Sequence, residues 1–142
     1  MKNTVVLVDA NVILDFLLKR EPGFEGAMRF IEACSNGSFD AYMALHSVSI
    51  ISYVLRKLPA EIQKRYLRTI CGIFSIASIG TEEVREAIEM DRVFSDPEDR
   101  IQYKCAQSVQ AEYIITRNIK DFANSEIAIR TPEEICEGLS FN

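Results

Sequence analysis

Residues 4–20, "TVVLVDANVILDFLLKR", decide the fold, because an apolar run stops at Asp9 and an apolar stretch resumes after Asn11. Residues 4–8 predict a strand that is apolar on both faces, as strands inside a parallel sheet are. Asn11 is expected to cap a helix over residues 12–20. An unpaired acid at the end of a buried strand costs on the order of several kcal/mol, so Asp9 needs a structural partner or a function.

Strands and helices alternate along the rest of the chain. Residues 73–79 and 112–116 predict two further strands and residues 126–130 a candidate fourth, while "AYMAL" at 41–45 is a short apolar segment. Helices are predicted over residues 24–35, 47–57, 60–70, 82–94 with Thr81 as cap, 96–110 with Asp96 as cap and Asp99 completing a capping pair, and from Pro132 with Thr131 and Glu134 as capping residues. This alternation predicts an α/β fold with a parallel sheet and right-handed crossovers.

Length and composition bound the class of protein. The 142 residues are 48% hydrophobic and 26% charged, which is ordinary for one soluble globular domain spanning residues 1–142. No apolar run approaches the roughly 20 residues that a membrane span needs. The four cysteines are far apart and there is one histidine, which argues against a zinc site or disulfides and favours the cytoplasm. The net charge of −5 opposes nucleic-acid binding unless positive charge is gathered locally or comes from a metal or a partner.

Acidic and polar residues follow two of the predicted strands and open one of the helices. In a parallel sheet, ligands bind beyond the carboxyl ends of the strands. The side chains expected at that edge are Asp9, Asn11, Asp96, Glu98, Asp99, Thr116, Asn118 and Asp121. Acids gathered there repel one another unless they are protonated or share a cation. Such an oxygen-rich cluster suits Mg²⁺ or Mn²⁺, which can hold a phosphate and activate water.

Three motifs together resemble the PIN domain, a fold of metal-dependent nucleases that includes the ribonuclease toxins of bacterial toxin–antitoxin pairs. They are "VDANVILDFLL", "SDPEDRIQYKCA" and "YIITRNIKDF", in that order over nearly the whole chain. The resemblance implies a three-layer α/β/α sandwich, hydrolysis of RNA with Mg²⁺ or Mn²⁺ as cofactor, an antitoxin partner and dimer formation. It implies catalytic roles for Asp9, Asp99, Asn118 and Asp121, with the metal held by Asp9, Asp99 and Asp121. Asn11, Asp96 and Thr116 are candidates for supporting roles.

One position departs from the family pattern. The family usually places a glutamate in the helix after the second strand, and here that position falls near Ile50, in a stretch that has no acid between Asp40 and Glu61. We therefore expect weaker metal affinity. The residues that could hold a water of the metal ion instead are His46, Ser47 and Ser49. The missing acid also motivates an alternative function, a catalytically impaired PIN-like fold that binds RNA or another protein.

Each candidate also has a purely structural interpretation. Asp9 could cap the first helix or form a salt bridge, and Asp99 could serve only the helix dipole. Asp96 could be a cap alone, and Asn118 could occupy a left-handed position in a turn. Asp15, one turn beyond Asn11, is expected to be a surface acid.

Basic residues gather in two neighbouring predicted helices. The set is Arg56, Lys57, Lys64, Arg65 and Arg68, which form either a track for the RNA phosphate backbone or a solvated helical face. A phosphatase that uses Asp9 as nucleophile is disfavoured, because Asn11 stands where such enzymes place a second aspartate and no lysine follows a later strand.

Overall fold

The central layer is a parallel sheet of five strands. The computed structural model describes residues 3–139. The strands are β1 Thr4–Val8, β2 Phe39–Ala44, β3 Ser75–Ala77, β4 Tyr113–Ile115 and β5 Ala128–Arg130. They lie in the order β3-β2-β1-β4-β5, and each neighbouring pair is parallel. The apolar strand β1 is therefore at the centre of the sheet, as its sequence predicts.

Helices cover both faces of this sheet. The described residues form α1 Ala10–Leu17, α2 Phe24–Ser35, α3 Leu45–Leu55, α4 Ala60–Ile73, α5 Thr81–Ile88, α6 Pro97–Ser108, α7 Pro132–Glu137 and a 3₁₀ turn Ile119–Phe122. Helices α1 to α4 and α7 contribute to the core on one face, and α5 and α6 pack on the other. The predicted three-layer α/β/α sandwich is confirmed. Within residues 3–139 no helix is long and apolar enough to cross a membrane.

Alternation along β1 fixes which way its last residues face. Val6 and Val8 belong to the core under α1 to α4, whereas Leu7 belongs to the core under α6. Ile115 and Ile114 of β4 divide between the same two cores. Since successive side chains of an extended chain point to opposite faces, the residue that follows each strand points to the α6 side.

The strand order reverses between β1 and β4. From β1 the chain proceeds through β2 to the edge strand β3, and it then returns to the other side of β1 to form β4 and β5. The chain continues from β1 into α1 and from β4 into the 3₁₀ turn Ile119–Phe122. We call the space at the carboxyl ends of these two strands the crevice. Such a reversal is where open α/β sheets bind their ligands.

Three details of the predicted elements are corrected. The segment at 41–45 contains most of β2, which starts at Phe39 and makes a fifth strand rather than an unassigned segment. Asn11 does not cap α1, because the helix already begins at Ala10 and Asp9 occupies the N-cap position. Gly80 rather than Thr81 precedes α5, and its backbone N–H donates to Glu83 Oε1 at 3.0 Å.

Other predicted elements are confirmed. Helix α2 has the predicted bounds. The capping pair at the start of α7 forms in both directions: Thr131 N–H donates to Glu134 Oε1 at 2.9 Å, and Glu134 N–H donates to the Thr131 hydroxyl at 3.1 Å. The predicted strands at 73–79, 112–116 and 126–130 appear as the shorter strands β3, β4 and β5.

Candidate metal centre at the carboxyl edge of the sheet

Asp9 is a buried acid that follows β1 and forms hydrogen bonds with Ile115 and Thr116 at the end of β4. Its backbone N–H donates to Ile115 O at 2.9 Å, which extends the pairing of β1 with β4 beyond the strand itself. The residue is only 7% exposed. The Thr116 hydroxyl donates to Asp9 Oδ2 at 2.9 Å, and the backbone N–H groups of Ala10 and Asn11 lie close enough to the carboxyl group to lower its pKa. Thr116 thus orients the Asp9 carboxylate.

The pKa of Asp9 is nevertheless raised above its ordinary value. Burial is the main cause, and the negative charge of Asp121 adds to it, while the hydrogen bonds from Thr116 and the two backbone N–H groups act in the opposite direction. Asp9 forms no salt bridge with any of residues 3–139. Its charge is therefore solvated by hydrogen bonds but is not neutralised.

Thr116 links Asp9 to the turn that follows β4. The side chain is fully buried, and its hydroxyl donates to Asp9 and accepts the backbone N–H of Asn118 at 3.1 Å. Asn118 has φ −92° and ψ 61°, so the left-handed backbone considered for it is wrong. Asn118 and Asp121 are both exposed, Asp121 on the 3₁₀ turn. Thr116 therefore does more than end a strand, because its hydroxyl joins Asp9 to the turn after β4.

The start of α6 brings three more acids to the same edge. Asp96 is the N-cap, and its Oδ1 accepts the backbone N–H of Glu98 at 2.8 Å. Within residues 3–139 Asp99 returns no hydrogen bond to the Asp96 backbone, so the predicted capping pair does not form. The Asp99 carboxylate is left free to face the crevice.

Negative charges within this group raise the pKa of Glu98 and Asp99. The pKa of Asp99 is raised to about 7, first by burial and then by the charges of Asp96, Asp121, Asp9 and Glu98. The pKa of Glu98 is raised by burial, Asp96 and Asp9. Acids from β1, α6 and the turn after β4 therefore share one electrostatic field, as the sequence predicts.

The donor set suits a hard divalent cation. Carboxylate oxygens are the ligands that Mg²⁺, Mn²⁺ and Ca²⁺ prefer, and a cation placed among these acids would relieve the repulsion that raises the pKa of Asp99. Asp9, Asp99 and Asp121 could hold one. In the described part of the chain, no three side chains of His, Cys, Asp or Glu are already spaced to ligate one ion. Closure around an ion would therefore require rotation of Asp99 and of the exposed Asp121.

The side chain of Asn11 lies outside this acid group. It is exposed, and its backbone carbonyl and Oδ1 accept hydrogen bonds from Arg20 at 3.2 and 3.5 Å. Only its backbone N–H serves Asp9.

The candidate residues of α3 divide into two kinds. Ser49 is exposed. Ser47 is fully buried, and its hydroxyl has no hydrogen-bond partner among residues 3–139. Both ring nitrogens of His46 also have no hydrogen-bond partner among these residues, and burial lowers the pKa of His46.

The basic residues lie apart from the acids. No arginine or lysine among these five is a cause of the pKa shifts of Asp9, Glu98 or Asp99. The guanidinium of Arg56 stacks on Tyr53 at 3.7 Å, and Arg65 and Arg68 line an open cavity of 520 Å³ beside α4. Lys57 and Lys64 are exposed, and none of the five basic residues forms a salt bridge with residues 3–139.

An ion-pair network next to the site was not predicted. Asp15 is buried, so its expected place on the surface is wrong; it accepts from Arg20 Nε at 2.9 Å and Arg117 Nε at 3.3 Å. Arg117 also forms two hydrogen bonds with Glu133, at 2.7 and 2.8 Å, and one with Gly23 O at 2.9 Å. Through this network Arg117, the residue between Thr116 and Asn118, is bound to α1 and α7. The spacing of charges in the sequence does not show which of them meet.

Comparison with known proteins agrees with this geometry. The family model described as "PIN domain" matches residues 5–120. The chain belongs to the PIN domain family. "Ribonuclease VapC1" of Aquifex aeolicus (strain VF5) is 30% identical over 140 residues, which cover 96% of each chain. PIN ribonucleases in general use a divalent metal ion.

Two solved structures share the PIN fold of this chain. A "Toxin-antitoxin complex from Klebsiella pneumoniae" superposes with a TM-score of 0.69 at 24% identity, covering 91% of this chain and 98% of that one. VapBC2 from Rickettsia felis, solved bound to a DNA fragment from its promoter, gives a TM-score of 0.68 at 14% identity, covering 90% and 98%.

Proposed function

We propose that this PIN domain is a divalent-cation-dependent endoribonuclease that hydrolyses RNA phosphodiester bonds, acting in the cytoplasm as the toxin of a toxin–antitoxin pair. The observation that carries the proposal is the acid group at the sheet reversal, where Thr116 orients the buried Asp9 beside Asp99, whose pKa is raised to about 7. The relative named a ribonuclease, which covers 96% of this chain, supports the same activity.

In this proposal Asp9, Asp99 and Asp121 hold Mg²⁺ or Mn²⁺. A bound divalent cation supplies positive charge that attracts the phosphate and lowers the pKa of nearby water. Thr116 keeps the Asp9 carboxylate turned toward the crevice and also fixes the backbone of Asn118. The Asn118 amide is exposed at the same edge, where it can orient the scissile phosphate or a water.

Binding of RNA requires positive charge that the acidic edge lacks. We assign this role to the face formed by Arg56, Lys57, Lys64, Arg65 and Arg68. These five side chains form no salt bridge with residues 3–139, so their positive charges are available to phosphates. An antitoxin that binds the domain, and association of two domains, belong to the same proposal. Structures of related folds include a toxin–antitoxin complex, which supports a partner of this kind.

The decisive test compares RNA cleavage by the wild-type protein and Asp9→Asn. We expect cleavage to require Mg²⁺ or Mn²⁺ and to fall at least about a hundredfold in the variant, because an amide is a poorer ligand and carries no charge. Asp40→Asn is the matched control, since Asp40 is exposed and lies in β2 opposite Val5, away from the carboxyl edge. Equal cleavage by wild type and Asp9→Asn would refute the proposal.

A second candidate is a PIN fold that binds RNA or a protein without cutting. Helix α3 carries no acid, and no three-ligand cluster is preformed within residues 3–139. Calorimetry with Mn²⁺ separates the two functions. Binding that is lost in Asp9→Asn favours the nuclease, and no binding at millimolar Mn²⁺ favours the second candidate.

A further inference from the structure

Two buried polar side chains near the acid group lack hydrogen-bond partners. Ser47 is fully buried and Gln102 is 2% exposed, yet Ser47 Oγ and Gln102 Nε2 have no partner among residues 3–139. A buried donor left unpaired costs about 1 to 3 kcal/mol, and folded proteins rarely leave one without a protein, water or ligand partner. Each of these groups can therefore donate a hydrogen bond to a water or a ligand.

The fold brings the start of α3 close to α6 at the carboxyl edge of the sheet. Strands β1 and β2 are neighbours in parallel register, with Leu7 opposite Tyr42, so the first turn of α3 emerges beside Asp9. Ser47 lies in that turn, two residues after Leu45. The Cys105 sulfur lies against the backbone N–H of Leu45, which joins α6 to the start of α3.

Gln102 completes the link between α6 and the acids. It lies one turn after Asp99 and one turn before Cys105, and residues three apart on a helix share a face. Gln102 is therefore between the acid group and the start of α3. Ser47 is likewise one helical turn before Ile50, the position near which the family usually has its glutamate. His46, also unpartnered, is rotated by about 100° around the helix from Ser47.

We propose that Ser47 Oγ and Gln102 Nε2 bind a water molecule in the place of the missing glutamate, and that this water helps the acid group retain a divalent cation. The inference rests on the proposed function, because it concerns the same cation. A serine hydroxyl and an amide N–H can each donate to such a water, and buried waters commonly have about three polar partners. Since Mg²⁺ keeps several of its waters when proteins bind it, a water can replace one carboxylate.

Mn²⁺ titration by calorimetry tests the proposal without measuring cleavage. Ser47→Ala and Gln102→Leu are expected to weaken Mn²⁺ binding by about tenfold, the lower range for lost hydrogen bonds around metal sites. Gln102→Glu is expected to tighten it by about tenfold at pH 8, because it returns a carboxylate to the site. The controls are Ser52→Ala, a half-buried serine of the same helix, and Gln107→Glu, which adds the same charge at an exposed position of α6.

The outcomes separate this proposal from the proposed function. Wild-type affinity in Ser47→Ala and Gln102→Leu, with urea unfolding showing that both are folded, overturns the role of Ser47 and Gln102 and leaves the nuclease intact. Equal tightening by Gln102→Glu and Gln107→Glu overturns it as well, because general electrostatics would then explain the gain. Absence of Mn²⁺ binding by the wild type refutes both proposals.

Discussion

Replacing Thr116 by valine removes one hydroxyl from the centre of the site with little change in shape. Thr116 and Asp9 are both buried, and the bond between them is 2.9 Å long. A hydrogen bond to a charged group contributes about 1.5 to 3 kcal/mol, whereas one between neutral groups contributes about 1 kcal/mol. The loss in the free energy of unfolding should therefore depend on whether Asp9 is ionised.

The direction of the pH dependence follows from the raised pKa of Asp9. Because the folded pKa lies above the ordinary aspartate value of 3.8, protonated Asp9 favours the folded state, and this contribution to stability is lost as pH rises through the folded pKa. Removal of the Thr116 hydroxyl raises the pKa further and enlarges that loss. We expect Thr116→Val to be destabilised by about 1 kcal/mol at a pH below the folded pKa of Asp9 and by about 2 to 3 kcal/mol at a pH above it.

Urea unfolding of the cation-free protein at the two pH values measures the difference. Thr116→Ser is the control, because it keeps the hydroxyl and should lose about 1 kcal/mol for the missing methyl group at both pH values. The double variant with Asp9→Asn should show a coupling of about 1 to 2 kcal/mol at the higher pH. A Thr116→Val destabilisation that is the same at both pH values would refute the inferred role of the hydroxyl.

Three further predictions concern charge and space around the site. Since the pKa of Asp99 is raised from 3.8 to about 7, the cation-free protein should become less stable as the pH rises from 3.8 to about 7. After allowance for solvent screening we expect a loss of about 1 to 2 kcal/mol in the free energy of unfolding. Urea unfolding of Asp99→Asn should not show this loss. Arg117→Ala should destabilise the fold by about 2 to 3 kcal/mol in thermal unfolding, because the buried Asp15 loses one of its two partners. A midpoint equal to that of the exposed control Lys120→Ala would contradict a stabilising role of the ion-pair network. Gly23→Ala should destabilise the fold, because the new Cβ would lie 2.3 Å from a carboxylate oxygen of Asp15. Gly72→Ala meets no atom within 4 Å and should stabilise α4 by about 0.5 to 1 kcal/mol. Changes of the same sign in the two free energies of unfolding, measured by chemical denaturation, would contradict this.

The fold could be predicted from sequence because its central feature is local. An apolar strand followed by an acid and an amphipathic helix predicts the first β–α unit, and the same alternation continues along the chain. Strand β2 was missed because its exposed Asp40 interrupts the apolar pattern. The position of β2 beside β1 depends on pairing between distant segments, which composition does not specify.

The acids of the site were predictable and their partners were not. Each acid follows a strand or opens a helix, so the carboxyl-edge rule gathers them. Asp15 was misplaced because its burial depends on Arg20 and on Arg117, a residue 102 positions away. Gln102 was overlooked because an amide inside an amphipathic helix gives no signal until its burial is known.

The hydrogen bond between Thr116 and Asp9 spans 107 positions of the chain. During synthesis, β1 leaves the ribosome with one edge unpaired until β4 is made. No partial chain that stops before residue 116 can orient Asp9 in this way. Translation thus delays assembly of the acid group until residue 116 has been added, and a fragment released earlier would lack it.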